Sequence, residues 1–369
     1  MQILIFSAEN IHQIDHQISQ NAKFDGFLFN KTPHLLLQNG HTNQISVVGV
    51  PTNHNHFFSL FLEEKNNIYA RFNVFFGEEK GIKKAFSALK MPFGSIEFSE
   101  HLSYENLHFF VNEIQKFCQE KFLETTPSPS FKGGEIFAPL LPKEGLGAVS
   151  RVIKITSYPF SYAQEQAHTL TQVLLQQNFI IKNSEITHFL DITKQSFSEN
   201  ISPAAQRRLK KCQKNENLIF EKYILADDLD EKRKQLNICY NIFVENRQRK
   251  KYPVSIDFES LFRLFCEFPD EHTIFVVKDL DTIISFSVAI RINKSILYHF
   301  IPADVVGYEA FSPMIFLLNG MYEYCQKEKI KILDLGISTD NGMPNYGLIR
   351  FKKSLGAKSS LKLTFEKEF

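Results

Sequence analysis

Apolar residues recur along this chain at two spacings, one of about 3.6 residues and one of about two, and their alternation predicts an α+β protein. Ile11, Ile14 and Ile18 mark one face of a short helix, and strand-like runs follow at 26–29, 35–38 and 44–50. Between residues 104 and 118, Leu107, Phe110, Val111, Ile114 and Phe117 return at helical spacing and predict an amphipathic helix with one buried stripe. A strand at 152–156, a helix from about 161 to 177 with Ala163, Ala167, Leu170, Val173 and Leu174 inward, and a strand at 179–182 bring the first half to a close near Asp191.

The second half opens at Ser202-Pro203, an N-cap followed by a proline at the first helical position. Helices are expected at 230–248 and 257–268, then strands at 272–278, 282–292 and 295–302. Ser312-Pro313 starts a helix to about 326, followed by a strand at 331–335, a short helix at 348–354 and a last strand at 360–365. The reading is two tandem domains, 1–191 and 192–369, each a mixed, mostly antiparallel sheet flanked by helices; 369 residues also exceed one usual core. Within the first domain, a Pro- and Gly-rich stretch at about 125–150 interrupts the pattern as a flexible insertion. Pro-Ser-Phe-Lys-Gly-Gly can be encoded by a self-complementary word, so residues 127–147 read as a translated inverted repeat captured in a loop, where extra length costs little. Its Gly145-Leu146-Gly147 also resembles a phosphate-cradling loop, but no helix start follows.

Composition narrows the class. With 43% hydrophobic and 22% charged residues the chain is globular, and 37 Phe beside no Trp predict a Phe-rich core. A net charge of +1 removes any global argument for DNA or a membrane surface, so an anionic partner must be recognised by a local patch. Five scattered cysteines fit a reducing compartment; with neither a leader-like start nor a window approaching a membrane span, the expectation is a cytoplasmic protein, monomeric or homodimeric.

The order antiparallel strands, helix, strand, helix, strand in the second half is that of a GNAT-type sandwich. Its closing segments, LDLGISTDNG and YGLIRFKKSLGAK, resemble the end of the Fem-type peptidyltransferases and the BioF2-like acetyltransferases. Those proteins share an Asp-containing strand, a Gly, a Phe-Lys pair and a further Gly, matched here by Asp334, Gly347, Phe351, Lys352 and Gly356. MPFGSIEF, ITSYPFSY and SPAAQRRLKKC fall where tandem-GNAT relatives place similar phrases. The resemblance implies a bacterial acyltransferase that moves an acyl or aminoacyl group from acyl-CoA or aminoacyl-tRNA, as co-substrate, to an amine acceptor such as a cell-envelope or polysaccharide precursor. The R/Q-x-x-G-x-G/A loop of a coenzyme-A-binding GNAT is absent: its place reads IPADVVGYEAFSPM, in which Gly307 alone remains. That absence motivates an alternative, a catalytically silent scaffold binding a glycan precursor or protein partner.

Acyl transfer to an amine needs a neutral nucleophile, a base, and positive charge or N–H donors where the carbonyl oxygen becomes anionic. The resemblance implies Lys352 beside the donor; the residues alone favour a solvated lysine on a short amphipathic helix. Asp334, in an otherwise apolar strand, is either a base or positioning carboxylate or a cap for the following loop. Tyr298 and His299 are acid–base candidates or packed core aromatics, and Tyr346 and Arg350 flank Gly347 as substrate-binding candidates. Phe351 reads as core. Arg207, Arg208, Lys210, Lys211 and Lys214 ring one helix, fit either to hold phosphate or an RNA acceptor stem, or to form a solvent face. The run Arg247-Gln-Arg249-Lys250-Lys251 reads as cations complementing a helix end. No metal site is expected, because His54 and His56 have no third ligand at a suitable spacing.

Overall fold

A computed structural model describes residues 1–39, 57–79, 82–89, 91–124, 150–340 and 342–369. The strand expected at 44–50, the His54/His56 pair and the insertion with Gly145-Leu146-Gly147 lie outside the described residues. In chain order the elements are β1 (Gln2–Ser7), α1 (His12–Asn21), α2 (Thr32–Asn39), β2 (Phe57–Glu64), β3 (Asn67–Glu79), β4 (Ile82–Phe86), β5 (Glu97–Phe98), α3 (Tyr104–Glu124), β6 (Arg151–Thr156), α4 (Gln164–Gln176) and β7 (Ile180–Asp191). There follow α5 (Phe197–Asn200), α6 (Pro203–Gln213), β8 (Leu218–Tyr223), α7 (Leu229–Arg249), α8 (Phe258–Glu267), β9 (His272–Asp279), β10 (Thr282–Asn293) and β11 (Ile296–Asp304). The chain ends with α9 (Pro313–Lys327), β12 (Ile332–Ile337), β13 (Thr339–Asp340), β14 (Met343–Pro344), α10 (Tyr346–Ser354) and β15 (Lys358–Glu368). They form two compact units, Met1–Ser184 with Lys362–Phe369, and Glu185–Leu361.

In the first unit β1, β2, β3 and β4 pair in sequence order as antiparallel neighbours, β6 adds parallel to β4, and the end of β15 pairs antiparallel with β6. The core is Phe-rich as composition predicts: Phe72, Phe76, Phe110, Phe117, Phe122, Phe179 and Phe365 pack in one cluster with the stripe of α3. Two expected strands are corrected. Residues 28–30 form a single 3-10 turn, and 35–38 belong to α2. A run of three leucines is too short to show a period, whereas Pro33 in the first turn fixes φ for a helix. Strands β1 to β5 and β8 lie outside the strands that the pattern predicts.

In the second unit β8, β9, β10 and β11 form an antiparallel meander, β12 joins β11 in parallel, and β7 pairs antiparallel with β12. A parallel neighbour requires a crossover, and α9 supplies it. Side chains of β9 alternate between faces, Phe275 and Val277 packing with α6 and α9, Ile274 and Val276 with α7 and α8. The helix starts are those the sequence marks: Ser202 and Asp257 accept the backbone N–H of Ala205 and Ser260, and Pro203 occupies the first helical turn.

Candidate functional site

The short helix α10 begins at Asn345, whose side chain accepts the N–H of Leu348, and ends where Gly356 turns left-handed at φ +78°. There Gly356 N–H reaches Lys353 O at 3.0 Å and Ala357 N–H reaches Lys352 O at 3.3 Å, a Schellman close. A Cβ at Gly356 would also collide with the carbonyl of Asn200, so glycine is required twice over. This explains the spacing of the Phe-Lys pair and its glycine: the helix is one cap-to-cap unit of fixed length. Phe351 is half-buried against the core, as expected. Lys352 turns inward and is only 6% exposed, which removes the solvated reading.

The Lys352 ammonium donates to Gly336 O at 2.9 Å and Ile337 O at 2.8 Å. Those carbonyls are available because β12 departs from regular pairing between Asp334 and Ile337, with Gly336 at φ +75°. Asp334, 2% exposed, holds the bend by accepting Gly336 N–H at 2.7 Å, so the loop-capping alternative describes its geometry. Burial pulls the Lys352 pKa down to about 7, and the Asp334 charge resists that fall. An ammonium has three N–H groups, and the third has no partner among the described residues.

The β11–β12 ladder comprises Ile296/Ile332, Leu297/Leu333 and Tyr298/Asp334, and stops there although β11 runs on to Asp304. Lys352, Asp334, Tyr298 and His299 therefore gather where two parallel strands part. Tyr298 lies opposite Asp334, and its ring would be 3.3 Å from any Cβ at Gly336. Burial first, then Asp334, raises its hydroxyl well above the usual phenol range. His299 is buried with Nε2 lacking a hydrogen-bond partner; burial, then the Lys352 charge, lowers its pKa to about 3. A neutral imidazole so weakly basic accepts a hydrogen bond far more readily than a proton.

Two further side chains lie outside the predicted site residues. His188 on β7 is fully buried, with Nδ1 2.8 Å from Ser338 Oγ and Nε2 3.3 Å from Ser359 Oγ. Burial, then Lys352 and Lys353, lowers its pKa to about 4. Nothing in its strand sequence marks it. Arg247, read as a helix-end cation, lies over the rings of Phe243 and Tyr252, 5.2 and 5.8 Å from their centroids. Its i, i+4 spacing from Phe243 was the available signal.

The remaining predicted residues sit at the surface. Tyr346 and Arg350 are exposed, one turn apart on α10. Arg207, Arg208, Lys210 and Lys211 are exposed on α6, while Leu209 and Cys212 face the core. Lys211 donates to Ala310 O at 3.0 Å and lies over the Phe311 ring. In the loop before α9, Gly307 N–H donates to Glu309 Oε2 at 3.0 Å, and Arg249 donates to the other oxygen at 3.1 Å, so a side-chain carboxylate occupies that backbone donor. The depression lined by Asp230, Arg233 and Phe258 contains none of the predicted residues. Among the described residues, no helix is long and apolar enough to cross a membrane.

No protein-family model matches the chain, and no curated protein matches it by sequence. Solved structures do. FemX is similar over 99% of this chain and 97% of its own, with a TM-score of 0.64 at 12% identity. A conserved protein of unknown function from Bacteroides thetaiotaomicron is similar over 99% and 98%, with a TM-score of 0.50 at 10% identity. A tandem GNAT protein from the clavulanic acid biosynthesis pathway covers 100% and 98%, with a TM-score of 0.49 at 8% identity. The chain thus has the α+β fold found in FemX, extending over nearly its whole length.

Proposed function

We propose that this protein is an acyltransferase that moves an acyl or aminoacyl group from an activated donor, acyl-CoA or aminoacyl-tRNA, to an amine of a cell-envelope or polysaccharide precursor. The observation that carries the reading is the Lys352 ammonium, buried, fixed by two carbonyls and left with one unused N–H at the parting of β11 and β12. As the acceptor nitrogen attacks the donor carbonyl, the oxygen becomes anionic, and a fixed ammonium in a desolvated setting stabilises it more than water would. A pKa near 7 also suits Lys352 to protonate the departing oxygen or sulfur and then, as the neutral amine, to take up the proton that the acylated nitrogen loses, which restores the ammonium. In this reading Asp334 positions the bend that holds Lys352, His299 accepts a hydrogen bond from the substrate through Nε2, and Tyr298 walls the opening. The exposed guanidinium groups of Arg207 and Arg208, with Lys211, Tyr346 and Arg350, contact the substrate further out. Coarse FemX-like architecture supports the class of reaction; the choice of donor rests on chemistry alone.

The test is transfer of label from [14C]acetyl-CoA and from a mixed [14C]aminoacyl-tRNA pool to a nucleotide-linked muramyl peptide. Transfer that falls at least a hundredfold in Lys352→Ala, with the far-UV spectrum retained, supports the proposal. Transfer unchanged in that variant contradicts it. A scaffold without turnover is favoured by the two carbonyl bonds, which could make Lys352 a strut alone; binding of the peptide precursor with no transfer from either donor would select it.

A further inference from the structure

His188 stands on β7, which lies between β12 and β15 in the sheet, and its ring reaches to both sides. Nδ1 meets Ser338 Oγ at 2.8 Å, one residue past β12, and Nε2 meets Ser359 Oγ at 3.3 Å on β15. A fully buried imidazole costs folding free energy unless both nitrogens are satisfied. Here a hydroxyl faces each nitrogen, and because a hydroxyl both donates and accepts, either neutral tautomer is served. Burial, then the Lys352 and Lys353 charges, lowers the pKa to about 4, so the ring is neutral at pH 7.

Ser338 is the joint between this ring and Lys352. The two residues before it, Gly336 and Ile337, present the carbonyls that accept from the Lys352 ammonium. Ser338 N–H donates to Ile186 O at 2.7 Å, and Ser338 O accepts Asn345 N–H at 2.9 Å. Asn345 caps α10, the helix on which Lys352 stands, so one residue ties together the ammonium's acceptors and the helix that delivers it. The bend is irregular, with the β12–β7 register shifting between Asp334 and Ile337, and regular ladder bonds do not fix it. Asp334 fastens its beginning by accepting Gly336 N–H, and His188 fastens its end through Ser338 Oγ.

We propose that His188 is a positioning residue for Lys352: its Nδ1 bond to Ser338 clamps the end of the Gly336–Ile337 bend and so aims the remaining N–H of the ammonium, a role that rests on the acyl-transfer function above. The Nε2 bond to Ser359 orients the ring and does not reach the bend. The two nitrogens therefore have unequal weight. A residue that merely fills space between three strands would be indifferent to which nitrogen is kept, whereas a clamp depends on the one that faces Ser338.

An asparagine amide stands in for Nδ1 and a glutamine amide for Nε2, which allows each bond to be kept alone. His188→Asn, His188→Gln, Ser338→Ala and Ser359→Ala are made in the full-length protein, and each is read by the NMR titration of Lys352 and by kcat and KM for label transfer. His188→Gln and Ser338→Ala should raise the Lys352 midpoint by about one unit or more, because burial is what lowers it and a loosened bend admits water. They should also lower kcat about tenfold or more with KM little changed. His188→Asn should restore both the midpoint and most of the rate, and Ser359→Ala should leave the midpoint near 7. Where a histidine variant does not fold, the contrast between Ser338→Ala and Ser359→Ala decides. A midpoint unmoved in both His188→Gln and Ser338→Ala, or displaced equally in all the folded variants, would overturn the proposal. The titration is read without turnover, so the two readings fail separately: transfer that needs Lys352 but survives His188→Gln and Ser338→Ala counts against this inference only, and a midpoint that follows the clamp without any transfer counts against the acyltransferase only.

Discussion

In the first unit Arg71 is 4% exposed and meets Glu97, its register partner across β3 and β5, through both Nε and Nη2. The other Glu97 oxygen accepts the N–H of Phe27 at 2.7 Å. In the second unit Lys352 is almost equally buried, yet its bonds go to two backbone carbonyls, and one donor is left over. Arg71 faces the Glu97 carboxyl through two N–H groups, whereas burial draws the Lys352 pKa down to about 7. The difference separates a cation closed on itself, which specifies packing, from one held open at a strand parting, which can respond to a new charge.

Changes in the two cations should break this comparison most visibly. Arg71→Ala leaves Glu97 buried and unpaired, with an expected loss of about 3–5 kcal/mol in denaturant unfolding. The double change Arg71→Met with Glu97→Leu should recover most of that loss, and failure to do so would mean the pair does more than fill space. Lys352→Ala should instead cost about 100–1000-fold in turnover, the effect of losing one oxyanion donor, with little loss of stability.

The proton on Lys352 sharpens the contrast. In the unfolded chain a lysine holds its proton to about pH 10.4, whereas the folded protein releases it near 7. Between these values the unfolded state binds more protons, so stability should rise with pH, by at most about 1.4 kcal/mol per unit, and be flat in this respect below about 7. Lys352→Met should remove that rise when urea midpoints are compared from pH 6 to 10; an equal rise in both proteins would place the slope elsewhere. An ammonium role in transfer predicts in addition a rate that falls as pH passes above about 7. The smallest effect is structural: Gly356→Ala should destabilise by about 1–2 kcal/mol from its left-handed backbone, with a further penalty from the Asn200 carbonyl, read as a lower thermal midpoint.

Much of the second unit was legible because its signals are local. Ser202-Pro203, Asp257 and Gly356 act through hydrogen bonds or φ within a few residues, and the 3.6- and 2-residue periods of α7 to β12 are long enough to recognise. Lys352 shares the inward stripe of α10 with Leu348 and Leu355, a helical spacing that favours it over Lys353 for burial. Its partners, the carbonyls of Gly336 and Ile337, lie 16 and 15 residues away and are not visible in that local spacing. Arg71 and Glu97 are separated by 26 positions, although a lone charge inside the apolar run of β3 was a visible irregularity. His188 bonds residues 150 and 171 positions distant, so nothing near it in sequence signals its role. In the first unit the short leucine run of α2 misled because three residues cannot distinguish a period of two from one of 3.6.

The central claim is that Lys352 is a desolvated, titrating ammonium rather than a surface lysine or a permanently charged strut. Nitrogen-15 and carbon-13 NMR of lysine side chains, with the Lys352 signal assigned through Lys352→Arg, measures its titration directly. A Lys352 signal that titrates near pH 7 is the predicted result; a Lys352 signal still fully protonated at pH 9.5 would contradict the account.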